Sequence, residues 1–306
     1  MIRTHAVALL LCLALLFPWS AAKAAGTDNG PRLGSVHAAV VDLDSGEILH
    51  AKHADRVVPI ASITKVMTAM VVLDSAEPLD EWLRVMDWHE PPPANAFSRI
   101  RLESELQRRN LLRLALMSSE NRASYVLARH HPGGYDAFID AMNARAAELG
   151  MTDTEFVDPA GLSTGNVSTA NDLVRLLQAA GEYPEIVEAS QTPAYTARFR
   201  RPRYNKGYRN TNVLVHRGSW PIEVSKSGYL NAAGRCLVMS TRVDGRRIGM
   251  VMLDSLGTRT PIGDAGRIRN WLQTGDSGVI AGRALEYERE RRAMYEQAEQ
   301  QTAGAQ

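Results

Sequence analysis

The sequence predicts an α+β domain in which one antiparallel sheet, built from both ends of the chain, is covered by helices. Two observations carry this. Strand-like runs gather before residue 50 and after residue 223, while the stretch between them is dominated by helical periodicity. Apolar residues make up 45% of the 306-residue chain and charged residues 23%, an ordinary globular balance with room for one large domain or two medium ones.

The first two dozen residues stand apart from that fold. Arg3 and His5 precede an apolar run from Ala6 to Phe17, and Ala22-Lys23-Ala24 offers a small-x-small exit. This is the pattern of a secretory signal peptide over residues 1–24, with cleavage expected after Ala24. The apolar run is shorter than the ~20 residues a membrane-spanning helix needs.

The mature chain opens with Val36 to Leu43, a turn at Asp44-Ser45-Gly46, and Glu47 to His50, which predicts a hairpin. Pro59 to Leu73 reads as the approach to a helix and the helix itself, with Val66, Met67, Met70, Val71 and Leu73 on its apolar side. Ser62 falls near its first turn, where free N–H groups favour negative charge. Pro91-Pro92-Pro93 predicts a loop. Leu111 to Met117 and Arg122 to Arg129 read as helices broken by Ser118-Ser119-Glu120-Asn121. Tyr135, Phe138, Ile139, Met142, Ala146 and Leu149 recur on one helical face that ends at Gly150. A further helix spans 171–180, with Thr169 as candidate N-cap and Gly181 as its stop.

The last third turns to strands. Glu223 to Leu230, Arg235 to Val243 and Arg247 to Leu253 are predicted, the last two joined by the Asp244-Gly245 hairpin signal. Ile262 to Leu272 closes the fold as a helix. Beyond it the composition turns rich in Glu, Arg and Gln, so residues 276–306 are expected to be a frayed polar helix or a disordered tail. That tail lacks the basic and apolar faces of a membrane-surface helix, so no firm membrane anchor is expected.

Composition excludes several classes. The 35 basic and 34 acidic side chains nearly cancel, which argues against a nucleic-acid partner. Cys12 lies in the signal, leaving Cys236 alone in a strand-like run, where a buried, inert thiol is expected. The eight histidines form no metal-site grouping, so neither metal nor cofactor is expected.

Chemistry concentrates in three short strings: Ser62-Ile63-Thr64-Lys65, Ser119-Glu120-Asn121 and Lys226-Ser227-Gly228. Ser62 and Lys65 are three apart, so on a helix the amine can reach the hydroxyl. A serine hydroxyl is a weak nucleophile at neutral pH and needs a base beside it, which a desolvated lysine can supply.

In order and separation these strings resemble those of the low-molecular-mass penicillin-binding proteins, the serine D-alanyl-D-alanine peptidases. The flanking Pro59-Ile60-Ala61, Met117 to Ala123, Asp158 to Ser163 and Gly228 to Gly234 extend the resemblance over most of the mature chain. It implies a β-lactamase/transpeptidase-like fold over residues 25–275, with a five-stranded sheet and a helical subdomain between early and late strands. It also implies that Ser62 is acylated by a D-Ala peptide and that Lys65 takes its proton, with a pKa lowered by burial and by Lys226. Ser119 would relay the proton to the leaving amine, and Asn121 would hold the substrate amide and Lys65. A protonated Lys226 and the Ser227 hydroxyl would receive the substrate carboxylate. Gly228 would leave room for the substrate to lie along the strand, and the backbone N–H groups of Ser62 and Tyr229 would form the oxyanion hole. The family usually has threonine where this chain has Ser227; serine keeps the hydroxyl and loses the methyl.

The implied partners are peptidoglycan stem peptides, with β-lactams as covalent inhibitors, and the implied compartment is the periplasm. Seventy-eight residues follow Gly228, which leaves no room for the second domain that many carboxypeptidases of the family carry. The resemblance is therefore closest to the single-domain endopeptidases, which cut D-alanyl–diamino acid cross-links; the alternatives are D-alanyl-D-alanine carboxypeptidase and, further off, serine β-lactamase. Residues 153–168 lack the Glu-x-x-x-Asn arrangement that the β-lactamase reading asks for. The basic run from Arg198 to Arg209 reads either as a solvated charged loop or as a contact with the anionic cell wall. Asn210-Thr211-Asn212 resembles a family segment near the active site, carries no expected catalytic role, and precedes a strand-like Val213-Leu214-Val215.

Overall fold

The structure, a computed structural model, describes residues 30–89, 91 and 96–303. The expected signal peptide, with Cys12, and Pro92 and Pro93 lie outside the described residues. In chain order, β1 (His37–Asp42) and β2 (Ile48–Lys52) form the predicted hairpin. The short β3 (Val58–Pro59) then leads into a 3-10 turn, Ala61–Thr64, and α1 (Lys65–Asp74). β4 (Trp82–Arg84) and β5 (Glu105–Gln107) precede α2 (Arg108–Met117), α3 (Asn121–Arg129) and α4 (Gly134–Glu148). β6 (Val167–Ser168) pairs with β3, and α5 (Ala170–Ala180) and α6 (Pro184–Gln191) follow. A second hairpin, β7 (Ala194–Phe199) and β8 (Tyr204–Arg209), is followed by α7 (Val213–Arg217). The chain returns to the sheet with β9 (Ile222–Leu230), β10 (Gly234–Val243) and β11 (Arg246–Ser255), then adds α8 (Arg259–Thr274) and α9 (Gly282–Ala303).

The sheet has five antiparallel strands in the order β2-β1-β11-β10-β9, so both ends of the chain do build it. Its two faces follow the period of two along each strand. Ala39, Val41, Val238, Val251 and Leu253 face a core shared with α1 to α6. Ala38, Val40, Leu237, Met239, Met250 and Met252 face a smaller core that α8 covers with Ala265 and Ile268. Cys236 lies buried in β10, and burial pushes its thiol up to about 12, well away from reactive thiolate chemistry. Thr169 caps α5 as predicted, its hydroxyl accepting from the Asp172 N–H at 3.0 Å.

Three expectations change. Val213-Leu214-Val215 begins a helix rather than a strand, because Asn212 Oδ1 accepts from Leu214 N–H at 3.0 Å and caps it, while Gly218 in the left-handed region ends it. The basic run is a hairpin rather than a loop: Ala197, Phe199 and Tyr208 alternate inward, a period that the intervening arginines obscure. The expected frayed or disordered tail is largely α9, docked through polar side chains. Buried Asp254 accepts from Tyr287 Oη at 2.6 Å, Arg291 Nε at 2.7 Å and Tyr295 Oη at 2.8 Å. Those three residues recur every four positions and so share one helical face. The docking face is polar, so apolar periodicity does not register it.

Candidate active site

The site forms where the 3-10 turn, the α2–α3 junction and the edge strand β9 meet. Ile60, Ala61 and Ile63 are fully buried and pin the turn under β9, and Ala61 adopts the left-handed conformation at φ 48°. Ser62 is therefore the second residue of that turn, and Lys65 opens α1. The first-turn expectation for Ser62 is refined accordingly: Ser62 precedes the α-helix on a tighter spiral.

Lys65 is fully buried, and its Nζ lies 2.9 Å from Ser62 Oγ, 2.9 Å from Asn121 Oδ1 and 2.5 Å from the Ala160 carbonyl. Among the described residues no carboxylate touches it. Burial lowers its pKa from 10.5 to about 7, and the more distant Asp158 and Glu120 charges partly oppose that. A neutral Lys65 can donate to Asn121 and Ala160 while accepting the Ser62 proton. Burial does the lowering at Lys65, and the mutual repulsion of the two amines falls on Lys226, so that a neutral Lys226 adds none to Lys65.

Ser119 bridges α2 and α3 in the left-handed region at φ 56°, which swings its hydroxyl toward β9. Lys226 Nζ donates to Ser119 Oγ at 2.9 Å and to the Ser227 carbonyl at 2.6 Å. Lys226 is 1% exposed, and burial first, then the Lys65 charge, hold its pKa well below the ordinary lysine value. The expectation of a standing cation at Lys226 therefore changes: without substrate this site resists a second positive charge.

Gly228 lets β9 pass close to the Ser62 turn. A Cβ there would come within 3.1 Å of the Ser62 nitrogen, the Ile60 carbonyl and the Ala61 methyl. A side chain at this position would push strand and turn apart by a few tenths of an ångström. Tyr229, next along the edge strand, is 48% exposed, with the Arg235 guanidinium 3.8 Å above its ring. Ser227 Oγ donates to Thr211 Oγ1 at 2.8 Å, which brings a segment without an expected role into the site.

Sequence reasoning missed the residues that hold Lys65 from behind. Asp158 accepts from the N–H groups of Ala160, Gly161 and Ser163, each at 2.7 Å, and from that of Leu162 at 3.3 Å. Asn166, fully buried, accepts from Val157 and Asp158 N–H and donates to Thr64 Oγ1 at 2.9 Å. Together they fix the loop whose Ala160 carbonyl meets Lys65. Gly161 completes it at φ 72°, where a Cβ would lie 1.9 Å from the Ala61 carbonyl. Asp158-Pro159-Ala160-Gly161 was visible as part of the resemblance; Asn166 carried no local signal.

A sequence profile of the peptidase S11 family, described as D-alanyl-D-alanine carboxypeptidase, matches residues 23–257. The chain is similar to a D-alanyl-D-alanine endopeptidase of Escherichia coli K12, 47% identical over 295 residues that make up 95% of each chain. It is also similar to a D-alanyl-D-alanine endopeptidase of Pseudomonas aeruginosa, 48% identical over 87% of this chain and 86% of that one. Among solved structures, penicillin-binding protein D2 of Listeria monocytogenes in its cefotaxime-bound form superposes with a TM-score of 0.69 at 28% identity, covering 80% of this chain and 98% of that one. With its serine, paired lysines and five-stranded sheet in place, the chain belongs to the S11 family of serine D-alanyl-D-alanine peptidases, the low-molecular-mass penicillin-binding proteins.

Proposed function

We propose that this chain is a periplasmic serine D,D-endopeptidase that hydrolyses the D-alanyl–diamino acid cross-links of peptidoglycan. The observation that carries the chemistry is the buried Lys65 amine 2.9 Å from Ser62 Oγ with no carboxylate in contact. The choice of cross-link over terminal D-Ala is supported by the two endopeptidases that match nearly end to end.

In this reading the substrate adds to the free edge of β9, with the scissile carbonyl between Ser62 and Tyr229 backbone N–H groups. Its carboxylate meets Lys226, Ser227 and Thr211. That carboxylate supplies the counter-charge Lys226 lacks, so the proton settles on Lys226 while Lys65 stays neutral. Ser62 Oγ attacks the carbonyl and Lys65 Nζ takes its proton. The tetrahedral species expels the diamino acid amine, protonated from Lys65 through Ser119. Water then cleaves the Ser62 ester, releasing the D-Ala carboxylate and restoring the serine.

β-lactams are proposed as covalent inhibitors at Ser62. The acyl-enzyme is expected to persist, because four backbone N–H groups occupy the Asp158 carboxylate in the loop behind Lys65 and leave it unsuited to activate water. The deciding experiment is mass spectrometry of soluble cross-linked muropeptide dimers after digestion. Monomers identify the endopeptidase, and loss of one alanine from pentapeptides overturns it in favour of the carboxypeptidase. Failure of penicillin to add one penicilloyl mass would remove the acyl-enzyme mechanism altogether.

A further inference from the structure

The molecule's charge is balanced in total, 35 basic against 34 acidic residues, but not in space. Between Glu188 and Glu223 the chain has no acidic residue, and Arg198, Arg200, Arg201, Arg203, Lys206 and Arg209 all fall in that interval on or at the tip of the β7–β8 hairpin. Glu105 neutralises two of them, pairing with Arg200 at 2.5 Å and Arg201 at 3.1 Å. Arg198, Arg203, Lys206 and Arg209 are exposed and make no ion pair among the described residues.

The hairpin that carries these charges is anchored. Ala197, Phe199 and Tyr208 bury the inner face of the hairpin, the Phe199 and Tyr204 rings stack at 4.4 Å, and Arg200 lies 4.1 Å over the Trp82 ring. Arg198, Arg203 and Asn205 flank a cavity of about 380 Å³ floored by Phe199 and Tyr204, large enough for a carboxylate-bearing side chain. The base of the hairpin adjoins the chemistry. β8 runs directly into Thr211, whose hydroxyl bonds Ser227, so the basic strand continues from the end of the site assigned to the substrate carboxylate.

We propose that the β7–β8 hairpin is a docking surface for the anionic stem peptides of the polymer surrounding the bond being cut. This rests on the peptidoglycan reading above. Uncut stems carry free carboxylates at regular intervals along the glycan, so several lie near any cross-link. Cations without ion pairs among the described residues, carried on an anchored hairpin whose base adjoins the cleft, attract them from a distance and retain the enzyme on the mesh. A small soluble substrate has no neighbouring stems and gains nothing from it.

The test uses the full mature chain and an Arg198→Ala/Arg203→Ala/Lys206→Ala variant, which leaves the acyl-transfer residues intact. Co-sedimentation is measured with purified sacculi, with the same sacculi after an amidase has stripped the stem peptides, and with vesicles of neutral and anionic phospholipid. Retention on intact sacculi is expected to fall by about tenfold or more in the variant and to weaken with added salt in the parent chain. Cross-link release from sacculi falls with it, whereas penicillin acylation and hydrolysis of soluble dimers stay unchanged. Equal retention by variant and parent overturns the proposal, as does retention that survives stem removal or transfers to anionic vesicles. If soluble dimers are not cleaved by either protein, the functional reading fails, and sedimentation still decides the docking surface.

Discussion

Two buried charged clusters sit two strands apart in the sheet, one at the β9 edge and one on the central strand β11, and they differ in one respect. At the β9 edge, Lys65 and Lys226 are buried with hydroxyl, amide and carbonyl partners but, among the described residues, no touching carboxylate. Beneath α9, Asp254 is equally buried, yet Arg291 neutralises it at 2.7 Å and two tyrosine hydroxyls fill its remaining lone pairs. Burial without a counter-charge pushes an amine toward its neutral, nucleophile-activating form. Burial with a counter-charge raises the Arg291 and tyrosine pKa values and locks a helix in place. Depth in the protein is common to both; the missing counter-charge separates chemistry from structure.

The comparison is broken most severely at its centre. Ser62→Ala is expected to abolish the penicilloyl adduct seen by mass spectrometry and to lower hydrolysis by about 10⁴-fold or more, with the thermal midpoint nearly unchanged. If an adduct still forms, the nucleophile is elsewhere and the contrast between the clusters loses its basis.

At the other cluster the effects should reverse. Arg291→Ala strands the Asp254 carboxylate under α9, and a loss of about 3 kcal/mol in urea unfolding is expected, while the rate of penicillin acylation holds. A large change in acylation without a loss of stability would mean that α9 reaches the active site.

The pH profile sharpens the role of the missing counter-charge. Lys65 must be neutral to accept a proton, so acylation should rise with pH through about 7 and be suppressed below it, where the amine is charged. Glu120→Gln removes a negative charge that favours the ammonium form, so the rising limb should move to lower pH, by less than about one unit. Movement to higher pH would show that Glu120 acts on another group.

The smallest change expected is at Ser227→Thr. It restores the usual family residue, keeps the hydroxyl that meets Thr211, and should alter soluble-dimer kcat/KM by no more than about threefold. A change of tenfold would make the serine a specificity element.

Much of this was legible along the chain. The hairpin signals at Asp44-Ser45-Gly46 and Asp244-Gly245, the Thr169 cap and the helical faces are local patterns, and each appears where expected. The three short strings around Ser62, Ser119 and Lys226 also converge as anticipated, because their family spacing encodes a shared geometry. The α7 helix, the β7–β8 hairpin and the docking of α9 were not legible. A single Asn212 cap turns an otherwise strand-like run into α7, the arginines of β7 and β8 obscure their inward period, and α9 docks through Tyr287 and Arg291 meeting Asp254 across more than thirty residues of sequence.

The sequence alone determined which atoms could react: a serine three residues from a lysine, with a second lysine on a late strand. Only the tertiary structure decided that those atoms would be reactive. It brought the Ala160 carbonyl and Asn121 to Lys65, pressed Gly228 against the Ser62 turn, and kept the carboxylates of the described residues out of contact with either lysine. The reason is physical. A side chain's identity is local, but its pKa is set by solvent and charges that the fold gathers from distant parts of the chain.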